Sequence, residues 1–263
     1  MKLDVDGNSL HYTIEGREDG PVVVLSHSLA TNLNMWAPQA AALSDNFLVV
    51  RYDSRGHGGS DAPEGPYTLE SMADETAALI EALDVGPVFF VGLSMGGMIG
   101  QYLALRHSRL LRGMVLSSTS GLVPPQAAPM WEERIAAVNA GGMETQADGT
   151  LSRWFTPAFQ ETGGPTLDFV RAMILETPVS GFIGCCQAIP KLDTLGALGG
   201  ISVPTRIIVG REDPGTPVAA AEALHAAIPG SDLVVLEEAS HQCGLQQPQA
   251  FNQAVISFLQ SVQ

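Results

Sequence analysis

The sequence predicts an α/β protein with a mostly parallel central sheet, helices on both faces and a helical lid inserted between two strands. In the first and last parts of the chain, short β-type runs alternate with helical periodicities. Such alternation is typical of a parallel sheet covered on both faces. Residues 123–191 contain helical patterns only. We therefore expect residues 1–122 and 192–263 to form the core and residues 123–191 to form a lid over one end of the sheet.

Apolar β-branched runs mark the strands, and apolar residues three and four positions apart mark the helices. In the first part, we predict strands at Leu10–Ile14, Val22–Leu25, Phe47–Tyr52, Val88–Val91 and Gly113–Ser117, and helices at Met35–Leu43, Leu69–Leu83 and Met98–His107. In the lid, we predict helices at Met130–Ala140, Leu151–Phe155, Thr166–Leu175 and Gly181–Ile189. The last part is predicted to contain strands at Thr205–Val209 and Asp232–Leu236, and helices at Val218–Ile228 and Gln249–Leu259.

Composition favours a globular protein that acts on a small molecule. The chain has 263 residues, of which 45% are hydrophobic and 16% charged, so it can bury a sizeable core. Its formal net charge is −15, which repels nucleic-acid phosphates and anionic membrane surfaces. We therefore expect neither nucleic acid nor a membrane as a partner. No sequence pattern specifies an oligomeric state.

Cysteine usage and the N-terminal segment favour the cytoplasm. The three cysteines, Cys185, Cys186 and Cys243, include an adjacent pair and form no CxxC motif, which argues against a disulfide framework. The first residues lack the apolar run of a signal peptide. The uncharged stretch Val85–Leu105 reaches membrane-spanning length, but its glycines and Pro87 favour a strand, a sharp turn and a buried helix.

The strongest local signal is the glycine-flanked serine in Gly92-Leu-Ser-Met-Gly96, which follows an apolar β run and precedes a helix-compatible run. The G-x-S-x-G pattern alone is weak, but this strand–turn–helix context is that of a nucleophile elbow. Side chains at Gly92 and Gly96 would collide with the crossing strand and helix. The turn places the Ser94 hydroxyl at a helix N-terminus, where the dipole favours developing negative charge. The alternative is a glycine-rich packing segment.

A serine nucleophile needs a base, and the base needs an orienting acid. His241 follows the last predicted strand and Asp213 the one before it, so both lie where open parallel sheets hold their ligands. The chain order Ser94, Asp213, His241 is the α/β-hydrolase order. The adjacent Glu212 is the alternative acid, but we prefer Asp213 because the Pro-Gly that follows it fits the end of a loop and the spacing matches the motif. The other histidines fit the base role less well, because they lie in a strand, on helices, in a glycine turn or beside a buried strand: His11, His107, His225, His57 and His27.

Acyl transfer to a serine also requires donors for the tetrahedral oxyanion. The backbone N–H of Met95, directly after the nucleophile, is one candidate. The second is expected from the loop that follows Val22–Leu25, and we assign it to the N–H of Leu29. Neither HExxH nor GxxxxGK[ST] occurs in the chain, so no metal and no cofactor is expected.

Over essentially its whole length, the chain resembles the α/β-hydrolase superfamily, and within it the 3-oxoadipate enol-lactonases. The matching segments are His27-Ser-Leu29, Asn34-Met-Trp-Ala-Pro-Gln39, Arg51-Tyr-Asp-Ser-Arg-Gly-His-Gly58, Gly65-Pro-Tyr-Thr68 and Arg153-Trp-Phe-Thr156, with the elbow, the acid and the base. The resemblance implies cofactor-free hydrolysis of a small enol-lactone in aromatic catabolism. His27 stands where we expect Asn in that group, Ala30 replaces Gly, and Gln242-Cys-Gly follows the base.

The predicted lid supplies candidates for the substrate pocket. Trp131 and Trp154 either pack in the core or line an apolar pocket. Arg134 and Arg153 are candidates to bind a substrate carboxylate, although a solvated surface is the alternative for each lid cation taken singly. The aromatic and cationic side chains considered for the lid are Trp131, Trp154, Phe155, Phe159, Arg134, Arg153, Arg171 and Lys191. The Asp53–Ser60 turn is interpreted as structural.

Three alternatives to lactone hydrolysis remain at this point. The same machinery would serve a general carboxylesterase, a perhydrolase side activity, or a hydrolase-fold receptor with slow turnover. An epoxide hydrolase or haloalkane dehalogenase is disfavoured, because those relatives carry Asp where Ser94 stands. The net charge of −15 opposes an anionic substrate unless lid arginines reverse the field locally, so it favours a neutral ester.

Overall fold

The central sheet of the computed structural model, which describes residues 1–5 and 7–262, has eight strands. The strands are β1 (Lys2–Val5), β2 (Asn8–Gly16), β3 (Val22–Ser26), β4 (Leu48–Tyr52), β5 (Val88–Leu93), β6 (Leu111–Ser117), β7 (Thr205–Gly210) and β8 (Asp232–Leu236). Their spatial order is β1-β2-β4-β3-β5-β6-β7-β8. β2 pairs antiparallel with β1 and β4, and every other neighbouring pair is parallel. The predicted fold class is confirmed.

Helices cover both faces of this sheet. The core helices are α1 (Ala37–Leu43), α2 (Leu69–Leu83), α3 (Met95–His107), α9 (Val218–Ala227), α10 (Cys243–Gln246) and α11 (Pro248–Ser261). Helices α4 (Ala128–Gly141), α5 (Glu144–Trp154), α6 (Pro157–Thr162), α7 (Gly164–Glu176) and α8 (Val179–Ala188) lie between β6 and β7. Residues 123–191, which carry these five helices, are called the insert below.

The central strands are buried along their whole length. Every residue of β3 and β5 is buried, which explains why their sequences are continuous apolar runs rather than alternating ones. Helix α2 has the predicted bounds. It begins after Thr68, whose side chain accepts a hydrogen bond from the N–H of Ser71, and it ends at Asp84 in a left-handed conformation.

The backbone of α8 in the insert packs directly against the backbone of the core. A Cβ at Gly181 of α8 would collide with the backbone of Gly56, and one at Gly184 would lie 2.8 Å from the Tyr67 ring. Glycine is therefore required at Gly181, because any side chain there would force α8 away from the core. This contact fixes one end of the insert on the Asp53–Ser60 turn.

The side chains of the Asp53–Ser60 turn are used in contacts that hold the turn together. The Asp53 carboxylate accepts hydrogen bonds from the N–H groups of Leu33 (2.7 Å) and Gly59 (2.8 Å). Arg55 forms an ion pair with Glu75 of α2. These contacts close the turn and attach it to a neighbouring helix.

The structure differs from the sequence prediction at several elements. The edge strand β1 and the helix α6 were not predicted, and α3 begins at Met95 rather than Met98. Val85–Leu105 is β5 followed by most of α3, as expected. Among the described residues no single helix is long and apolar enough to cross a membrane, although the bent pair Gly164–Glu176 and Val179–Lys191 meets the criteria of length and composition.

Candidate active site

Ser94 lies on a strained turn between β5 and α3. Its backbone has φ 56° and ψ −113°, a conformation that is unusual for a residue other than glycine. The Ser94 N–H donates to the Ser117 carbonyl of β6 (2.8 Å), and the Ser94 carbonyl accepts from the Met98 N–H (3.0 Å) and the Thr119 hydroxyl (2.9 Å). These contacts hold the strained turn in place at the carboxyl edge of the sheet.

The two glycines that flank this serine are required by close packing. A Cβ at Gly92 would collide with the backbone of Gly96 at the start of α3. A Cβ at Gly96 would collide with the backbone of Ser26 at the end of β3. The helix thus approaches both β5 and β3 closely, and its N-terminus lies directly beneath Ser94.

Asp213 and His241 come together beyond the ends of β7 and β8. The Nδ1 of His241 lies 2.8 Å from Oδ2 of Asp213. A carboxylate can only accept, so Nδ1 carries the hydrogen and Nε2 of the neutral ring is free to accept a proton. This orientation is the one that a general base requires.

The Asp213 carboxylate is buried but fully satisfied. Oδ1 accepts from the N–H groups of Gly215 (2.8 Å) and Thr216 (3.0 Å), and Oδ2 also accepts from the Thr216 hydroxyl (2.6 Å). Burial disfavours its charge, but the His241 imidazole and the hydrogen bonds from His241 and Thr216 outweigh burial and lower the pKa of Asp213. The neighbouring Glu212 side chain is exposed, so its surroundings differ from those of Asp213.

The backbone amides of Leu29 and Met95 have no hydrogen-bond acceptor among the described residues. Helix α3 starts at Met95, so its N–H has no intrahelical acceptor. Leu29 lies in the loop after β3, and its neighbour Ala30 has φ 59°. Among the described residues, neither the Leu29 N–H nor the Met95 N–H donates to a protein acceptor. Both amides are therefore available to an oxygen atom from outside the chain.

The insert lies directly on the His241 loop. The Trp154 ring stacks on the His241 imidazole, with 5.8 Å between ring centroids and 25° between planes. The Trp154 carbonyl accepts from the Gln242 N–H (3.0 Å), and the Arg153 carbonyl accepts from the Ser240 hydroxyl (3.0 Å). The end of α5 thus holds the loop on which His241 lies.

Two arginines of the insert have no carboxylate partner. The Arg134 guanidinium lies 4.7 Å from the Trp131 ring centroid, and Arg153 donates to the Thr150 hydroxyl (3.2 Å). Within the described part of the chain, neither forms an ion pair. Burial lowers the pKa of Arg134, and burial together with the nearby Arg134 charge lowers the pKa of Arg153. A guanidinium stays charged in proteins, so this pair is a region of uncompensated positive charge.

The other two cations of the insert differ. Arg171 forms ion pairs with Glu144 and Asp148 of α5, also in the insert. Lys191 is exposed. Arg171 and Lys191 therefore belong to the solvated surface, the alternative considered for each lid cation.

Several residues that shape this site were not singled out from the sequence as site residues. The Thr216 hydroxyl orients Asp213, and its position three residues later is a turn pattern that could have been recognised. Gln242 donates to the Ser28 hydroxyl (3.0 Å) and so joins the His241 loop to the Leu29 loop. Gln246 of α10 donates to the Thr156 hydroxyl (2.6 Å) and so joins the core to the insert. No local signal marks these last two contacts, because they join distant parts of the chain.

The fold and this arrangement define a class, and the chain belongs to the alpha/beta hydrolase fold family, whose pattern matches residues 21–176. Residues 186–263 match a second pattern, described as TAP-like protein. The chain is 36% identical to 3-oxoadipate enol-lactonase 2 of Acinetobacter baylyi, over 94% of this chain and 91% of that protein. The chain is an ester-hydrolysing enzyme.

Solved structures agree with this assignment. An enol-lactonase from Burkholderia xenovorans is 38% identical with a TM-score of 0.95, and the match covers 99% of this chain and 100% of that one. A hydrolase from Pseudomonas aeruginosa is 41% identical with a TM-score of 0.94, over 98% of this chain and 97% of that one. The resemblance inferred from the sequence motifs is thereby confirmed.

Proposed function

We propose that this enzyme hydrolyses a small anionic enol-lactone, 3-oxoadipate enol-lactone, through an acyl-enzyme on Ser94. The observation that carries the mechanism is the Asp213–His241 hydrogen bond at the same sheet edge as the strained serine. The similarity to named enol-lactonases supports the substrate.

In the first step, Nε2 of His241 takes the proton of the Ser94 hydroxyl while its oxygen attacks the lactone carbonyl. The amides of Leu29 and Met95 stabilise the oxyanion of the tetrahedral intermediate. The ring C–O bond then breaks, and His241 returns the proton to the enol oxygen. The enol stays attached to the acyl group and becomes the ketone.

In the second step, His241 removes a proton from water, and the resulting oxygen attacks the acyl-enzyme carbonyl. The ester bond to Ser94 breaks, the serine recovers its proton, and the diacid leaves. Asp213 keeps its negative charge throughout and stabilises the imidazolium. Its lowered pKa supports this role, because it remains ionised.

We further propose that the insert is a lid that determines the substrate. In the insert, Trp154 stacks on His241, and Trp131 packs against Arg134. Arg134 and Arg153 supply the local positive charge that an anionic substrate needs against a net charge of −15. The buried free thiols of Cys185, Cys186 and Cys243 support a cytoplasmic location.

Ser94→Ala tests the mechanism. We expect kcat to fall by at least about 10⁴-fold on every ester, because the attacking atom is lost. The matched control is Ser118→Ala, a second serine with positive φ after a parallel strand, which should keep its activity. Turnover of p-nitrophenyl acetate by Ser94→Ala at the wild-type rate would exclude the mechanism.

The second candidate is a general carboxylesterase, favoured by the net charge of −15, which opposes an anionic substrate. A comparison of kcat/KM for the charged enol-lactone with that for p-nitrophenyl acetate separates the two. We expect the lactone to be preferred by at least about 100-fold, which corresponds to about 2.7 kcal/mol of transition-state binding. A preference for the neutral ester would favour the carboxylesterase.

A further inference from the structure

Two buried histidines contact the backbone of the Leu29 loop and lie outside the proposed acid–base pair. His27 belongs to the loop itself, and His57 belongs to the Asp53–Ser60 turn. Both side chains are 0% exposed, and their rings meet edge-on with centroids 5.0 Å apart. Nothing in the proposed chemistry uses either imidazole, so their burial next to the reacting edge needs another explanation.

The hydrogen bonds of each ring fix its tautomer. Nε2 of His27 accepts from the Ser54 N–H (2.9 Å), so its hydrogen is on Nδ1, which donates to the Ser28 carbonyl (2.8 Å). Nε2 of His57 accepts from the Ala30 N–H (3.0 Å), so its Nδ1 faces the Arg55 carbonyl (3.2 Å) as a donor. A protonated imidazole has no acceptor, so this arrangement requires both rings to be neutral.

The two rings control the two peptide groups that flank the Leu29 Cα. The Ser28 carbonyl is held by His27 and by the Thr31 hydroxyl, each at 2.8 Å. In a planar trans peptide the C=O and N–H groups point in opposite directions, so a fixed Ser28 carbonyl directs the Leu29 N–H. His57 holds the next peptide through the Ala30 N–H. The positive φ of Ala30 disfavours this loop conformation, so external contacts must maintain it.

We propose that His27 and His57, as neutral imidazoles with the hydrogen on Nδ1, are positioning residues that direct the Leu29 amide towards the oxyanion. This inference rests on the proposed function, in which that amide binds the oxyanion. Burial favours the neutral form of both rings: it lowers the pKa of His27 and, helped by the His27 charge, lowers that of His57 to about 3. The rings thus act through the backbone and touch no substrate.

An amide that is directed in advance contributes mainly to the transition state, because the negative oxygen develops only there. A loss of direction should therefore lower kcat and leave KM nearly unchanged. It should equally weaken binding of phenylboronic acid, whose tetrahedral serine adduct places an oxygen atom where the oxyanion forms. A purely structural role would lower thermal stability without this pattern.

The experiment compares His57→Leu with His57→Gln in the full-length enzyme. Leucine removes the acceptor for the Ala30 N–H, whereas the Gln side-chain oxygen can replace Nε2. We expect His57→Leu to lower kcat and the affinity for phenylboronic acid together by about 10- to 100-fold, with KM within about threefold of wild type. His57→Gln should recover kcat to within about threefold. His225→Gln, a histidine on α9, is the matched control and should behave as wild type.

A folded His57→Leu enzyme with wild-type kcat would overturn the inference while leaving the proposed function intact. Activity in Ser94→Ala would instead overturn the proposed function. Should His57→Leu fail to fold, as judged by near-UV circular dichroism, His27→Leu and His27→Asn repeat the comparison. Asn keeps a donor near the Nδ1 position, so only His27→Leu should lose kcat; equal values in both would overturn the inference.

Discussion

The carboxyl edge of the sheet and the insert differ in whether their buried charged groups have a partner of opposite charge. At the sheet edge, the Asp213 carboxylate is surrounded by donors and forms a charged hydrogen bond to His241. In the insert, Arg134 and Arg153 are partly buried within reach of each other's charge and have no carboxylate partner among the described residues.

Under the proposed function, this difference separates chemistry from substrate selection. A satisfied charge in a rigid place holds reacting atoms in position, and it does so for any ester. An unsatisfied pair of cations lowers the stability of the empty enzyme and recovers that free energy only when an anion binds. Changes at the sheet edge should therefore act on kcat for all substrates, and changes of the Arg134 and Arg153 side chains should act on KM for anionic ones.

The largest effect is expected at the sheet edge. Asp213→Asn keeps the shape of the side chain but removes the charge that holds the His241 tautomer. We expect kcat to fall by about 10³- to 10⁴-fold on both the enol-lactone and p-nitrophenyl acetate, with little change in KM. Steady-state kinetics on the two substrates checks this. A loss on only one of them would break the proposed separation.

The next effect is expected in the insert. Arg134→Gln removes one cation of the unpaired pair, so KM for the anionic lactone should rise by about 10- to 100-fold, the value of a hydrogen bond to a charged group. KM for p-nitrophenyl acetate should stay within about twofold. The matched control is Arg171→Gln, because Arg171 lies in the same insert but is already paired with Glu144 and Asp148. Equal effects of the two variants would contradict this role for Arg134.

The smallest effect concerns pH and stability. The six histidines all lie outside the insert. Burial lowers the pKa of His57 to about 3, whereas an unfolded chain titrates near 6.5, so the unfolded state takes up more protons between these values. The charged groups that face the histidine pair are Asp53, which raises the pKa of His27, and the second imidazole. The free energy of unfolding should therefore fall as the pH decreases below 7.

Urea unfolding of wild type and His57→Gln at pH 7 and pH 5.5 measures this contribution. Between these values, the wild-type unfolding free energy should fall by about 1 kcal/mol more than that of His57→Gln, because the variant lacks the titrating group. Equal decreases in both proteins would show that His57 is protonated in the folded core. A larger decrease in the wild type would place part of the acid sensitivity in the core, at the histidine pair.

Helices and strands whose apolar residues recur at regular spacing were predictable from the sequence. Helix α2 and strand β8 have the predicted bounds, because apolar spacing and flanking turns specify them locally. The first turn of α3 was missed, since Gly96 and Gly97 are poor helix formers that are retained for close packing against Ser26 and Thr119. Strand β1 was missed because it is short and pairs only at the sheet edge.

The site was predictable where chain order specifies it. The spacing of Ser94, Asp213 and His241 after three strands predicts a shared edge, and the Pro-Gly that follows Asp213 favours it over Glu212 as the acid. In the structure Asp213 is buried and Glu212 is exposed, which agrees with that choice. The contacts of His57 with Ala30 and of Gln242 with Ser28 were unpredictable, since each joins segments far apart in the chain and depends on the three-dimensional packing.

The backbone contact between Gly56 and Gly181 limits how such inserts can be exchanged between enzymes. In a chimera that carries the insert of another enzyme on this core, α8 can pack in the same position only if glycine occupies position 181. A donor segment with alanine or a larger residue there would displace α8, and the displacement would pass along the insert to Arg134 and Arg153. If the insert selects the substrate as proposed, substrate range can be exchanged between such enzymes only when this glycine is transferred with the insert.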